Sequence, residues 1–261
     1  MCTLVVYHRL RDDFPTLLAA NREEFVDRPS AAPAIDRGGP VPVLAGRDLL
    51  AHGTWLGVTP RGFFVGLTNQ RAPPSADLKA SRGEVVMSLL RGGSLDAARA
   101  ILQGLDPTRY RPFNLLLGDA SALAVAYVRP DPAAITLTPL GPGVHVLTND
   151  VMDSPRFPKA RRARDRVPED VLKTAPWPVL SRRLEAMLGD HTLTPRAELP
   201  PPDPWIPAAW SDPLQALCVH LPGYQTVSAA VIALGEGSVA HYRHAQGPPC
   251  VTPFVELPLA W

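Results

Sequence analysis

The second residue of this chain is a cysteine that runs straight into an apolar stretch, MCTLVVYH. A cysteine at the amino end of a chain carries its own base. Its α-amine has an ordinary pKa of about 8 and its thiol one of about 8.5. Trimming of Met1, which is usual before a small residue, would put amine and thiol on one residue. The amine then takes the thiol proton, directly or through a water, and the thiolate attacks a carbonyl. The competing reading of Cys2 is a small hydrophobe on a buried first strand.

Further residues in three stretches of the sequence are placed to assist. In LAANREEFVDRPS (18–30) an apolar run ends abruptly in Asn21-Arg22-Glu23-Glu24. If 2–10 and 15–22 pair as a hairpin, Arg22 falls near the chain start, where a held cation lowers the thiol pKa and orients a carboxylate or carbonyl. Glu23 or Glu24 would grip the α-amine through a charge-assisted hydrogen bond. Asn69, in GLTNQR, and Asn149, in VLTND, each follow an apolar run and the same Leu-Thr pair. An Asn at a strand exit can donate to a developing oxyanion, although capping a turn is its commoner role.

Other chemistries lack their residues. The chain has no Gly-x-Gly-x-x-Gly after a strand, no phosphate-binding Gly-x-x-x-x-Gly-Lys and no Gly-x-Ser-x-Gly elbow. With no Cys-x-x-Cys and no His-Glu-x-x-His, spacing points to no metal site, and the seven His read as scattered and solvated. The formal charge of +1 gives no push towards nucleic acid or a membrane surface. No run of 18 apolar residues occurs, so no membrane-spanning helix is expected. Three Cys, an odd count, and a start unlike a secretion signal suggest reduced thiols and a cytoplasmic location.

These residues need strands to hold them. Apolar runs at 2–10 and 15–22 form one hairpin; GTWLGVTPRGFFVGLTN (53–69) forms a clearer one around TPRG. Helices follow at 81–90, opened by a Ser-x-x-Glu capping box, and at 94–105 with Ser94 as N-cap. Strands return over 113–119, 123–129, 134–140 and 143–150, then helices over 154–167 and 179–189. KARRARDR (159–166) reads as a solvated helix face. The last strands span 216–222, 226–234, 238–244 and 250–257. Blocks of strands and helices predict an α+β fold of two mainly antiparallel sheets with helices outside. Many of the chain's 31 Pro cluster over 194–213, a surface stretch expected to hold neither helix nor central strand and to be anchored by Trp205 and Trp210. No domain boundary is evident, so residues 1–261 read as one domain.

The motifs LAANREEFVDRPS, GTWLGVTPRGFFVGLTNQR, SRGEVV, FNLLLGD, VHVLTNDVMDSPRFPKA and LCVHLPGYQT occur in this order. Together they resemble the NRDE family, also called the transport and Golgi organisation family, over Cys2 to about Val255. That family is similar to N-terminal nucleophile hydrolases of the cholylglycine hydrolase and penicillin V acylase type. The resemblance implies a four-layer αββα sandwich. It implies catalytic roles for Cys2 as nucleophile, Arg22 beside it, Asn69 in the oxyanion hole and Asn149 at substrate and amine. Asn21, Glu23, Glu24 and Trp55 would contact substrate. Two positions depart from the family pattern: Glu23 replaces Asp, and Val227 stands where relatives carry Arg in Tyr-Gly-Thr-Arg.

The reading this supports is a Cys-type amidohydrolase cleaving a linear amide or acyl thioester of a small-molecule substrate, with no cofactor. The alternative, also implied by the resemblance, is a non-catalytic trafficking protein for haem or for acyl-CoA and lipid, although no Cys-Pro haem motif is present.

Overall fold

In the computed structural model, which describes residues 2–73 and 79–261, β1 (Cys2–His8) and β2 (Thr16–Phe25) form the expected antiparallel hairpin. Side chains along a strand alternate between its faces. On β1, Leu4 and Val6 point to one apolar layer and Val5 and Tyr7 to another. Both faces are therefore buried, and the strand reads as an unbroken apolar run.

The remaining strands are β3 (Ser30–Asp36), β4 (Val43–Asp48), β5 (Leu56–Val58), β6 (Phe64–Asn69), β7 (Phe113–Gly118), β8 (Leu123–Pro130), β9 (Ala133–Leu140), β10 (Gly143–Leu147), β11 (His220–Leu221), β12 (Tyr224–Gly235), β13 (Ser238–Ala245) and β14 (Val255–Glu256). One sheet has the order β10-β1-β2-β12-β13-β14, with β11 added to β12. The second runs β3 to β9 in chain order, as a meander. Ladders within both are antiparallel.

Helices cover the outer faces. α1 (Arg82–Gly92) and α2 (Leu95–Gln103) pack on the second sheet through Val86, Leu89, Leu90 and Leu102. α3 (Pro158–Asp165), α4 (Glu169–Thr174) and α5 (Trp177–Leu188) cover the first, where α5 buries Leu180, Leu184, Met187 and Leu188. Each such side chain contributes about 1.5–3 kcal/mol relative to exposure. A third apolar layer, including Leu4, Leu18, Phe64 and Ile232, lies between the sheets. The result is the expected α+β, four-layer αββα sandwich. Among the described residues no helix is long and apolar enough to cross a membrane.

Several local expectations differ. Ser94 caps α2 by accepting from the Ala97 amide, but Ser81 makes no cap on α1; its hydroxyl donates to the Ala51 carbonyl instead. β3 and β4 arise from a Pro- and Gly-broken stretch without a clean strand pattern, and α4 is too short to show a helical period. The strands expected at 216–222 and 250–257 shrink to the two-residue β11 and β14. Within 194–213 the chain forms a 3-10 turn (Arg196–Glu198) and a short α6 (Ala208–Ser211), each begun just after a Pro, where a missing N–H costs nothing. Trp210 anchors this segment by stacking on Tyr224, while Trp205 stays 37% exposed. His8 and His244 are buried rather than solvated, and so is Lys159 at the start of α3.

Candidate active site

Cys2 opens β1 directly opposite Arg22 of β2. Directly opposed residues in an antiparallel pair hold their Cβ atoms about 4.5–5.5 Å apart. The thiol belongs to the same strand face as Leu4 and Val6, so it looks into the space between the sheets. There it is only 7% exposed, yet it lines a cleft of about 330 Å³. Arg22, Glu23, Glu24, Trp55 and Asn69 line the same cleft. With Met1 attached, burial pushes the Cys2 thiol up to about 11, and the pull of Arg22 in the other direction does not overcome it. The expected activation by Arg22 is thus outweighed by desolvation.

Arg22 is held by carboxylates from both sheets. Its Nη2 lies 3.3 Å from Asp48 Oδ2 and 3.8 Å from Glu24 Oε2. Arg28 shares both acids, at 2.7 Å from Asp48 and 3.7 Å from Glu24. Asp48 also accepts the amides of Leu50 and Ala51. Burial works against ionisation of Asp48, but the hydrogen bonds from Arg28 and from the Ala51 amide hold its pKa below the usual value. Arg22 Nη1 is buried and has no hydrogen-bond partner among the described residues. One donor of the guanidinium is therefore uncommitted beside the sulfur.

The opposite wall carries further cations: Lys79, Arg82 and Arg111 line the cleft where α1 begins. Burial and then the nearby Arg111 guanidinium pull the Arg82 pKa down. Gly53 and Gly83 let this wall close, because a Cβ on Gly53 would sit 2.2 Å from the Gly83 carbonyl carbon.

Asn69 ends β6 in the second sheet and Asn149 follows β10 in the first. Asn149 Nδ2 donates to the Asn69 carbonyl at 2.6 Å, and the Arg71 amide donates to the Asn149 carbonyl at 3.1 Å. Asn114 of β7 reinforces this seam by donating to Thr68 Oγ1 and to the Asp150 carbonyl, both at 2.9 Å. Asn69 lines the cleft; Asn149 does not, and its Oδ1 is buried without a partner among the described residues. The two Asn are thus brought together, with only one of them at the cleft surface.

Asn21 does not contact the cleft. Strand alternation turns it to the helix side, where its amide donates to the Leu188 and Leu217 carbonyls, both at 2.9 Å. These bonds tie β2 to the end of α5 and to the segment before β11. Glu23 shares that face. It is 1% exposed, and burial pushes its carboxyl up to about 7, opposed by the Lys159 ammonium. Lys159 is likewise 1% exposed, and its Nζ has no hydrogen-bond partner among the described residues. Burial pulls its pKa down while Glu23 acts to restore it. Val227, where an Arg was expected from the resemblance, is the extra residue of a bulge in β12 between Thr226, opposite Glu23, and Ser228, opposite Arg22.

Sequence reading missed Asp48, Arg28, Arg82, Arg111 and Lys159. Arg28, Arg82 and Lys159 fall inside quoted motifs, but nothing in their local spacing marks them for the site, and Lys159 is also part of a basic run. Among the described residues the cleft offers one thiol, one side-chain amide and a surplus of cations over carboxylates.

The profile of the family described as Transport and Golgi organisation 2 matches residues 1–243. The Transport and Golgi organization 2 homolog of Mus musculus is 31% identical over 200 residues, covering 70% of this chain and 71% of its own. Two solved structures share the fold. Penicillin V acylase from Agrobacterium tumefaciens superposes with a TM-score of 0.56 at 12% identity, over 98% of this chain and 86% of its own. The N-acylethanolamine-hydrolyzing acid amidase (NAAA) ortholog of Caenorhabditis elegans gives 0.55 at 13% identity, over 99% of this chain and 100% of its own. At such identity the likeness is one of architecture, that of N-terminal nucleophile hydrolases.

Proposed function

The chain belongs to the Transport and Golgi organisation 2 family, and on that footing we propose that it is a Cys-type N-terminal nucleophile amidohydrolase for a small, linear, anionic amide or acyl thioester. The carrying observation is Cys2 at the head of β1, lining the cleft with Arg22 across the ladder and Asn69 on the facing sheet.

The chemistry follows from these positions. After removal of Met1, the α-amine of Cys2 accepts the thiol proton. The sulfur attacks the substrate carbonyl carbon, a C–S bond forms, and the electron pair of the C=O moves to oxygen. The Asn69 amide and the free donor of Arg22 stabilise that oxygen. As the tetrahedral adduct collapses, the ammonium returns its proton to the leaving nitrogen or sulfur, and the C–N or C–S bond breaks. Water then attacks the thioester, loses a proton to the amine, and releases a carboxylic acid and the thiol. Lys79, Arg82, Arg111 and the start of α1 support an anionic group on the substrate at the far wall. They supply positive charge that Val227 does not.

The test is a panel of acyl amides and acyl thioesters, with and without an anionic tail, against the wild-type chain and Cys2→Ala. The expected result is turnover, and an acyl mass on the Cys2 peptide, in the wild type alone. Turnover surviving in Cys2→Ala, or Met1 retained in protein purified from its native cell, overturns the reading.

A further inference from the structure

Far from the cleft, the two remaining cysteines meet two histidines. The ligand atoms of His191, His220 and Cys250 all lie within 4.8 Å of one another. Cys218 joins them: its Sγ is 3.7 Å from Cys250 Sγ and 3.5 Å from His220 Nε2. His220 Nε2 in turn is 3.2 Å from Cys250 Sγ. The His191 and His220 rings face each other edge to face with centroids 5.9 Å apart. None of the four lines the cleft.

We propose that His191, Cys218, His220 and Cys250 form a tetrahedral zinc site that staples the carboxy-terminal segment to the sheet. Zinc takes thiolate at about 2.3 Å and imidazole at about 2.0–2.1 Å. A tetrahedron of those lengths spaces two sulfurs by about 3.8 Å and a sulfur and a nitrogen by about 3.5 Å. The Cys218–Cys250 and Cys218–His220 distances fall on those values. Two thiolates and two imidazoles are a ligand set that suits zinc over the oxygen-seeking cations. A disulfide is a poorer description, because its sulfurs bond at about 2.05 Å.

The backbone delivers the ligands from three separate segments. Cys218 lies in a bend and His220 opens β11 two residues later, and their ligand atoms come within 3.5 Å of each other. His191 follows α5, and Cys250 lies in the turn beyond β13. The Cys218 amide donates to the Asp190 carbonyl at 2.9 Å. Gly189 packs against Cys250, where an added Cβ would come within 3.3 Å of the Cys250 Cα. Asn21 grips the carbonyls of Leu188 and Leu217, at the base of two of the three segments. A divalent ion would close this arrangement by displacing two thiol protons, leaving a site of zero net charge. β11 and β14 are two residues long, so the chain beyond β13 has few ladder bonds of its own. The site stands independently of the proposed hydrolase.

The experiment uses the full chain carrying Cys2→Ala, so that the cleft thiol cannot contribute. The protein is stripped with chelator, kept reduced with a non-thiol reductant, and titrated with Co²⁺. Visible absorption of tetrahedral, thiolate-bound cobalt should saturate at one equivalent and bleach on adding Zn²⁺. Cys218→Ser and Cys250→Ser should each abolish it, and His191→Ala should weaken binding at least about tenfold, a loss that changes merely around a ligand already produce. The cobalt titration of the unsubstituted cluster reads the site even if those variants misfold. A featureless spectrum with both thiols free overturns the proposal. So does a Cys218–Cys250 disulfide in protein purified without reductant, or cobalt binding that survives Cys218→Ser.

Discussion

The side-chain amide of Asn149 donates to the main-chain carbonyl of Asn69 at 2.6 Å, joining the exit of a strand in one sheet to the exit of a strand in the other. The mouth of the cleft is therefore set by a seam of hydrogen bonds and not by apolar packing alone. Asn114 is the hub of that seam, 0% exposed and donating to Thr68 and to Asp150.

Asn114→Leu should destabilise the fold by about 1–3 kcal/mol, because it leaves buried carbonyl and hydroxyl groups without a donor. It should also lower kcat more than it raises KM, since Asn69 loses its support without leaving the cleft. Urea unfolding, and steady-state kinetics on whichever member of the acyl amide and thioester panel is turned over, check both; an unchanged kcat would show that the seam does not position Asn69.

Asp48→Asn should move stability and reactivity in opposite directions. The change removes the charge paired with both Arg22 and Arg28, at a cost of about 1–3 kcal/mol for charge-assisted bonds of this partly buried kind. It also leaves the Arg22 charge less compensated, which favours the Cys2 thiolate. The rate of iodoacetamide alkylation of Cys2 at fixed pH should rise while the urea midpoint falls.

Glu23 predicts a pH dependence with a definite sign. Its folded pKa, about 7, lies above the ordinary value of 4.5. Below pH 4.5 both states are protonated and the group has no effect. Between 4.5 and 7 the unfolded chain releases the proton while the folded chain keeps it, so stability falls as pH rises, by up to about 1.4 kcal/mol per unit. Glu23→Gln should lack that slope in urea midpoints measured from pH 4 to 8. Lys159→Met should extend the slope above pH 7, because it removes the cation that opposes burial at Glu23. Parallel curves for all three chains would refute the coupling.

Gly53→Ala should be among the most damaging small substitutions in the chain. The new methyl would lie 2.2 Å from backbone carbon and 2.6 Å from backbone nitrogen at the start of α1, neither of which can rotate away. Overpacking costs about 1–3 kcal/mol, and rigid backbone partners place this case at the upper end. A fall in Tm together with weaker binding of anionic ligands, through displacement of Arg82, is the expected outcome.

What the sequence determined by itself was local. The two apolar runs at 2–10 and 15–22, separated by a polar break, predicted the hairpin that puts Arg22 opposite Cys2, and the Leu-Thr-Asn endings marked both strand exits. The blocks of strands and helices were enough for two antiparallel sheets with helices outside, while the four-layer αββα order was implied by the family resemblance. Alternation also separates Arg22 and Glu24 from Asn21 and Glu23. That Arg22 and Glu24 turn to the cleft and Asn21 to the helices, while Glu23 both lines the cleft and is buried near Lys159, was decided only by how the sheets and α3 pack. The same holds for Lys159, whose basic neighbours hide a buried position. It holds for β3 and β4, whose pattern is broken by Pro and Gly but completed by ladder partners. Asp48, Arg82 and Arg111 reach the cleft from separate segments, as His191, Cys218 and Cys250 reach theirs. Short-range pattern encodes which element forms, because propensity and periodicity act over a few residues. Convergence of distant side chains depends on register and layer packing, which no short stretch of sequence contains.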